Sequence, residues 1–575
     1  MKAKLRRFLH RLFFVVLALG TLVVLFYAEE NWRGARAWAA AKRDLAAQGE
    51  SLDLKTLIPP PVPDDQNLAM APLFVRAFEY GPDPVNGVLT FAPGKSAPGQ
   101  SSNSPTKEEL LSMFFGPNPP LNSNYPPSRS ALRWSTGYHR NLAAWQRFYR
   151  QNPALPHTPE PQTPAADMLL ALSRSALLLD ELARAAAERP LTRFPVNWTL
   201  RPPANINFSH QNVLNVIVLT LGLRASARLA AGEVAPARQD LLLALRLTDD
   251  LSKEPVLISA VNEKNWVEAL AQPLWDGLKE RQWSAADLMA LQAGFGRLDL
   301  LRSLQDALRG ERAAFFVETM EDMQNTAVAR RMVAEVAGPS PDNPPDTFWK
   351  AVRWTLHIPD SPKRALWNFL PYGPRGWILQ NAALGCRLSQ AQAIDLIDVK
   401  GGFVHSEKEA AFERQTKALP LRPGNMLVGE SGIWYASISV RLVPNQGTLN
   451  EAITACALER FFLDHGDYPA TLAELVPTYL DRVRPDPVDG APLRYRRTVD
   501  GRFVLYSVGN NGRDDGGAIV WPADRAWRHG DPVYPEGKQP GLPRPDLNES
   551  DRVWQYAPAE PPEPPANVSR LEARP

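Results

Sequence analysis

Residues able to do chemistry are sparse in this 575-residue chain, and none falls into a complete catalytic pattern. Pro93-Gly94-Lys95-Ser96 ends like a phosphate-binding loop, in which a glycine-rich turn wraps its backbone N–H groups around a phosphate. Leu89 stands where the first glycine belongs, and the surroundings are loop-like rather than strand-to-helix. Gly429–Ile433 (GESGI) is similar to the turn that presents a nucleophilic serine, here Ser431, but lacks the closing glycine. The eight histidines are scattered, with no HExxH and no pair spaced for a metal. His405 beside Glu407 reads as a surface pair. No catalytic or cofactor-binding residue is assigned on this basis, although the fold can still bring distant carboxylates together.

The elements that would position such residues begin with the composition. Lys and Arg number 64 against 62 Asp and Glu, so no global field attracts nucleic acid. The 55 prolines are about twice ordinary usage and demand long linkers and turns. Only Cys386 and Cys456 are present, which excludes a disulfide scaffold and leaves a single bridge open. Lys2, Lys4, Arg6, Arg7 and Arg11 precede an uncharged stretch from Leu12 to Ala28, closed by Glu29 and Glu30. As a helix this stretch rises about 25 Å, the short end of what spans a bilayer. Its basic flank predicts a single-pass protein of the inner (cytoplasmic) membrane, with the N-terminus inside and residues 29–575 outside, in the periplasm. A cleaved signal peptide is the rival reading, and both export the body.

Residues 31–130 read as a juxtamembrane helix, stopped by Leu57–Asp65 (LIPPPVPDD), and then proline-rich loops with a short helix near 108–115. Residues 131–445 form a mainly helical domain with an irregular second half. Asp167–Glu188 is apolar on most faces, as a buried helix would be. Leu221–Leu251 reads as two helices joined near Gly232, where Gly232, Ala237, Leu241 and Ala244 resemble a single tetratricopeptide hairpin. Arg224 and Arg228 depart from that pattern, and no second copy follows. Further helices are predicted near Asn262–Arg281, Ala285–Phe295 and Leu300–Met332.

Residues 446–530 read as a small α+β domain. Leu449, Ile453, Cys456, Ala457 and Phe461 form a helical stripe from Thr448 onward, and Gly466 and Pro469 end it. Thr471 and Glu474 have the spacing of a capping box for a second short helix. Two β-prone runs around Asp500-Gly501 predict an antiparallel hairpin. Residues 531–575 are a proline-rich tail without a packed core, in which Val553, Trp554 and Tyr556 are the residues able to dock locally.

The order and punctuation of the C-terminal domain resemble the major (G-type) pseudopilin of type II secretion systems. The resemblance lies in Ala457–Tyr468 with Pro469, in Leu472 and Leu475-Val476, in Tyr479-Leu480, in Arg484–Tyr495 (RPDPVDGAPLRY), and in the closing Tyr506–Gly517. It implies a helix followed by an antiparallel sheet, and a final loop that binds calcium through acidic side chains and backbone carbonyls. The matching positions are Asp514 and Asp515, with Asn510 and Asn511 as neutral oxygen donors and Asp524 downstream. Without calcium, Asn-Asn-Gly and Asp-Asp-Gly-Gly simply form turns tolerant of left-handed backbone. True pseudopilins carry their membrane segment on the helix that opens the fold, whereas some 420 residues intervene here.

The expected architecture is thus multidomain: a membrane helix, a mainly α-helical middle and a pseudopilin-like α+β end. Two functions are carried forward. One is a membrane-anchored extracytoplasmic structural or interaction protein with partners in a secretion or envelope assembly. The other is an exported hydrolase. Convergent carboxylates or histidines in a deep pocket favour the enzyme, and a neutral, apolar groove favours the scaffold.

Overall fold

The structure is a computed structural model that describes residues 2–78, 80–82, 89–91, 134–153, 155–336, 370–408, 411–412, 414, 418–419, 422–521 and 550–559. The segment 93–96, the helix predicted near 108–115, Asp524, and residues 522–549 and 560–575 lie outside these. The described chain is mostly helical, with three small antiparallel sheets.

Helix α1 is continuous from Lys2 to Ala47, 46 residues that join the predicted membrane span and juxtamembrane helix without a break. It is long and apolar enough to cross a membrane, and no residue in its most apolar window is buried. Past Glu29 it turns inward. Trp38, Ala41 and Leu45 are buried against α12 (Arg375–Gln392), at Ile378, Ala382 and Cys386. Two glycines permit this approach: a Cβ on Gly34 would lie 2.2 Å from the Gly376 carbonyl oxygen, and one on Gly376 would lie 1.8 Å from that of Glu30.

Short helices α2 (Pro72–Phe78), α3 (Leu142–Arg150), α4 (Pro164–Leu172) and α5 (Ala176–Glu188) surround a bundle. The bundle comprises α6 (Ser209–Ala230), α7 (Val234–Ser252), α8 (Leu257–Lys279), α9 (Ala285–Phe295) and α10 (Leu300–Glu311). Helix α6 is also long and apolar enough to cross a membrane, but 72% of its window is buried, which makes it a core helix. The predicted hairpin around Gly232 is present, with that residue at φ 80°. Arg224 and Arg228 depart from the repeat pattern because both pair with Asp240 across the hairpin, at 2.5 and 2.8 Å.

The single buried helix expected over Asp167–Glu188 is instead two. A 3-10 turn at Ser173–Ser175 divides it, and Leu177 is 85% exposed. The Ser173 hydroxyl donates to the Leu170 carbonyl at 2.7 Å, a local bond that competes with helix continuation. Beyond α10 the backbone continues as a π-helical stretch, Arg312–Thr319, and then α11 (Thr326–Val336).

Helix α13 (Met426–His465) corrects the predicted start at Thr448. It begins 22 positions earlier and carries Pro444 inside it. The helix therefore crosses the boundary expected at residue 446. Its C-terminal half contributes Leu449, Ile453, Cys456 and Leu458 to the same core as Leu221, Trp266 and Phe295. The α+β end thus shares its core with the bundle. Cys386 and Cys456 are both buried and unpaired.

At the C-terminal end, Gly466 closes α13 in the left-handed conformation, as the sequence predicts. The Thr471–Glu474 capping box is present, although it opens a 3-10 turn, Leu472–Leu475, rather than an α-helix. Writing β1 (Tyr80–Pro82), β2 (Leu89–Phe91), β3 (Ile397–Asp398) and β4 (Phe403–Val404) for two small hairpins, the main sheet is β5 (Arg494–Arg497), β6 (Phe503–Ser507) and β7 (Arg552–Trp554) in that order. Strand β7 comes from the proline-rich tail. Trp554 pairs with Leu505 and packs on Trp134, with ring centroids 5.1 Å apart. The docking residues Val553, Trp554 and Tyr556 are all buried, so this part of the tail belongs to the core.

Candidate functional sites

The C-terminal loop is built around a carboxylate that the sequence reading did not single out. Asp486, between two prolines, is fully buried. One of its oxygens accepts from the Val488 amide (3.0 Å) and the Ser507 hydroxyl (2.8 Å). The other accepts from the Val508 amide (2.9 Å) and the Arg494 guanidinium (2.7 Å). Prolines on either side donate no N–H and fix φ, which holds this Asp toward the sheet. Arg494 also meets Asp489 at 2.5 Å, and its Nε lies 3.5 Å from Asp514.

The predicted calcium positions lie together on the loop after β6, where Gly509, Gly512, Gly516 and Gly517 all have positive φ. Asp514 Oδ1 accepts from the Tyr506 hydroxyl and the Gly516 amide, each at 3.0 Å, and these bonds hold its carboxyl below its usual value. Asp515 Oδ2 accepts from the Asn511 side chain at 3.0 Å, while Asn511 Oδ1 caps the Arg513 amide at 2.9 Å. Asn510 sits beside them at the turn.

The structure adds Asp551, which lies 36 positions beyond Asp515 and arrives with β7. Its Oδ2 accepts the amides of Asp515 (3.2 Å) and Gly517 (2.8 Å), while Oδ1 is buried with no hydrogen-bond partner. Burial pushes the Asp551 carboxyl up, and the nearby charges of Asp515 and Asp514 push it the same way. No sequence signal pointed to this residue, because its segment reads as tail. Among the described residues no three His, Cys, Asp or Glu side chains converge to enclose a metal ion.

A second site is an open cleft of about 850 Å³ between α3, α4, α6 and α8. His139 stands at its rim with Nδ1 3.2 Å from Asp276 and Nε2 2.9 Å from Glu280, one on the last turn of α8 and the other capping it. The Asp276 bond raises the imidazole pKa above its ordinary value, partly opposed by burial. Asp276 also accepts from the Gln272 side chain at 2.9 Å, and Arg140 donates to the Ser226 hydroxyl at 3.0 Å. Lys279 donates to the Gly137 carbonyl at 2.9 Å and lies over the Trp275 ring. Both ring nitrogens of His139 face carboxylates, and the lining hydroxyl of Ser226 is turned to Arg140. The cluster ties residues 134–141 onto α8. Sequence spacing shows only the Asp276–Glu280 pair, because His139 is brought to them by tertiary packing.

His405 and Glu407 form the expected surface pair, 3.1 Å apart with the glutamate 65% exposed. Gly429–Ile433 lies within α13 rather than on a strand-to-helix turn. Comparison of the chain with protein-family models, with curated proteins and with solved structures finds no match.

Proposed function

We propose that this protein is a membrane-anchored, extracytoplasmic structural or interaction protein whose C-terminal module is pseudopilin-like and takes part in a secretion or envelope assembly. The observation that carries the reading is α1: a bare apolar helix that continues without a linker into a large packed body. A water-exposed apolar stripe of that length has no stable place in solution. The basic residues Lys2, Lys4, Arg6, Arg7 and Arg11 orient it with the body outside the cytoplasm. The α13–hairpin order supports the pseudopilin-like reading. An alkaline phosphatase fused at residue 60 is expected to be active in the periplasm of a bacterial host. Cytoplasmic activity from a reporter fused at the same residue would reverse the orientation.

Calcium at the C-terminal loop is a second reading, favoured by the orphaned oxygen of Asp551. Asp515 and Asp551, with Asn510, Asn511 and loop carbonyls, supply hard oxygen donors of the kind calcium takes. Asp514 fits less well, being turned to Tyr506 and Arg494. A bound cation would neutralise the mutual repulsion of Asp515 and Asp551 and stabilise the fold by mass action. The detergent-solubilised protein is expected to melt higher in millimolar calcium than in chelator, and the D515N/D551N variant to lose that difference. An unshifted melting temperature for the unmodified protein makes these residues turn formers only.

A further inference from the structure

The membrane helix does not merely tether the body; it fixes which part of the body meets the bilayer. Helix α1 has no break between its apolar half and its packed half. The turn Leu370–Tyr372 and the first turn of α12 meet it where the apolar stretch ends. The Tyr27 hydroxyl donates to the Tyr372 carbonyl at 2.6 Å, and the Phe26 and Trp377 rings meet edge to face at 6.0 Å. Just beyond, the Gly376 amide donates to Asn31 at 2.8 Å and the Trp377 indole to Glu30 at 3.1 Å. Farther along, Arg387 pairs with Asp44 at 2.8 Å, so α12 runs away from this end in the same direction as α1.

Residues 29–34 of a continuous helix lie roughly 2–9 Å beyond Ala28 along its axis. The polar layer on each side of the hydrocarbon is about 5–8 Å thick. The N-terminal end of α12 and the turn before it therefore fall within that layer whenever α1 spans the bilayer. The side chains there suit it. Tyr27, Trp32, Tyr372 and Trp377 are amphipathic rings of the kind enriched at headgroup depth. Trp32 is 56% exposed with the Arg36 guanidinium over its face, and Arg33 is also exposed beside Glu29 and Glu30.

We propose that Trp32, Tyr372 and Trp377, with Arg33 and Arg36, form a phospholipid-headgroup contact that holds the body flush against the outer surface of the membrane. The inference rests on the anchoring reading above, since it takes the stretch ending at Ala28 as the span.

The test uses the full chain reconstituted in phosphatidylcholine–phosphatidylglycerol vesicles. Both native cysteines are buried, so an environment-sensitive fluorophore reports introduced cysteines. Four variants are labelled: Gly20→Cys in mid-span, Trp32→Cys and Tyr372→Cys in the proposed contact, and Val499→Cys on the fully exposed hairpin tip. Nitroxides are placed in the headgroup or deep in the acyl chain. The expected result is several-fold stronger headgroup quenching at 32 and 372 than at 499, with acyl-chain quenching dominant at 20. If 20 is quenched from the acyl chain while 32 and 372 behave like 499, the headgroup contact is overturned and the anchor stands. If 20 is not quenched from the acyl chain, the anchoring reading fails and takes this one with it.

Discussion

Replacing Asp486 with alanine is expected to cost about 3–5 kcal/mol of stability, the usual consequence of removing one partner from a buried, hydrogen-bonded ion pair. The change leaves two backbone amides, the Ser507 hydroxyl and the Arg494 guanidinium without their common acceptor. Buried donors stripped of partners carry the full desolvation penalty, which is why the effect exceeds that of a single lost hydrogen bond. Asp486→Asn keeps the shape but loses the counter-charge for Arg494 and turns an amide NH2 toward donors, so an intermediate loss is expected. Asp489→Ala removes the more exposed partner of the same arginine and should cost no more than about 1 kcal/mol. Urea unfolding followed by tryptophan fluorescence distinguishes the three. A loss below about 1 kcal/mol for Asp486→Ala would mean that the C-terminal module is held by its shared apolar core alone.

Glu263 produces the opposite kind of effect. It is fully buried in α8, and neither carboxylate oxygen has a hydrogen-bond partner. The neighbouring Ser303 hydroxyl is already donated to the Asp299 carbonyl. Burial pushes the Glu263 carboxyl from 4.5 up to about 8. The folded state thus holds this proton more tightly than the unfolded chain does. The stabilisation is fully present below about pH 4.5 and is lost as pH rises toward 8. Full linkage over that interval amounts to an upper bound of about 5 kcal/mol. Glu451, also fully buried with both oxygens unpartnered, acts in the same direction. Glu263→Gln should therefore be nearly neutral at pH 5 and stabilising by a few kcal/mol at pH 8.5. The check is the difference between variant and parent across pH, which cancels the other titrating groups. A variant that is equally destabilised at both pH values would show that Glu263 is satisfied in the folded protein.

Local punctuation was legible in the sequence, while long-range assembly was not. Gly232, Gly466, the Thr471–Glu474 box and Asp500-Gly501 act within a few residues of themselves, and each marks the break, cap or turn it signals. The start of α13 was hidden because Pro444 and Gly447 look like a break, yet packing of both flanks carries the helix through them. Strand β7 was hidden for a related reason. The prolines flanking it signal a tail, but Arg552–Trp554 completes the sheet by pairing with β6, a contact set by tertiary geometry. Arg224 and Arg228 looked misplaced because their partner, Asp240, lies across the hairpin. The sites follow the same rule. The loop acids Asp514 and Asp515 are adjacent in sequence, whereas Asp551, Asp486 and the His139–Asp276 pair become neighbours only through the fold.

The central claim, that α1 anchors a packed body to a membrane, is tested most directly by alkaline carbonate extraction of membranes from cells expressing the full chain or a form lacking residues 2–28. The full chain should stay in the membrane pellet, and the shortened form should be recovered soluble, with its melting transition retained. Release of the full chain by carbonate, or retention of the shortened form in the pellet, would contradict the claim.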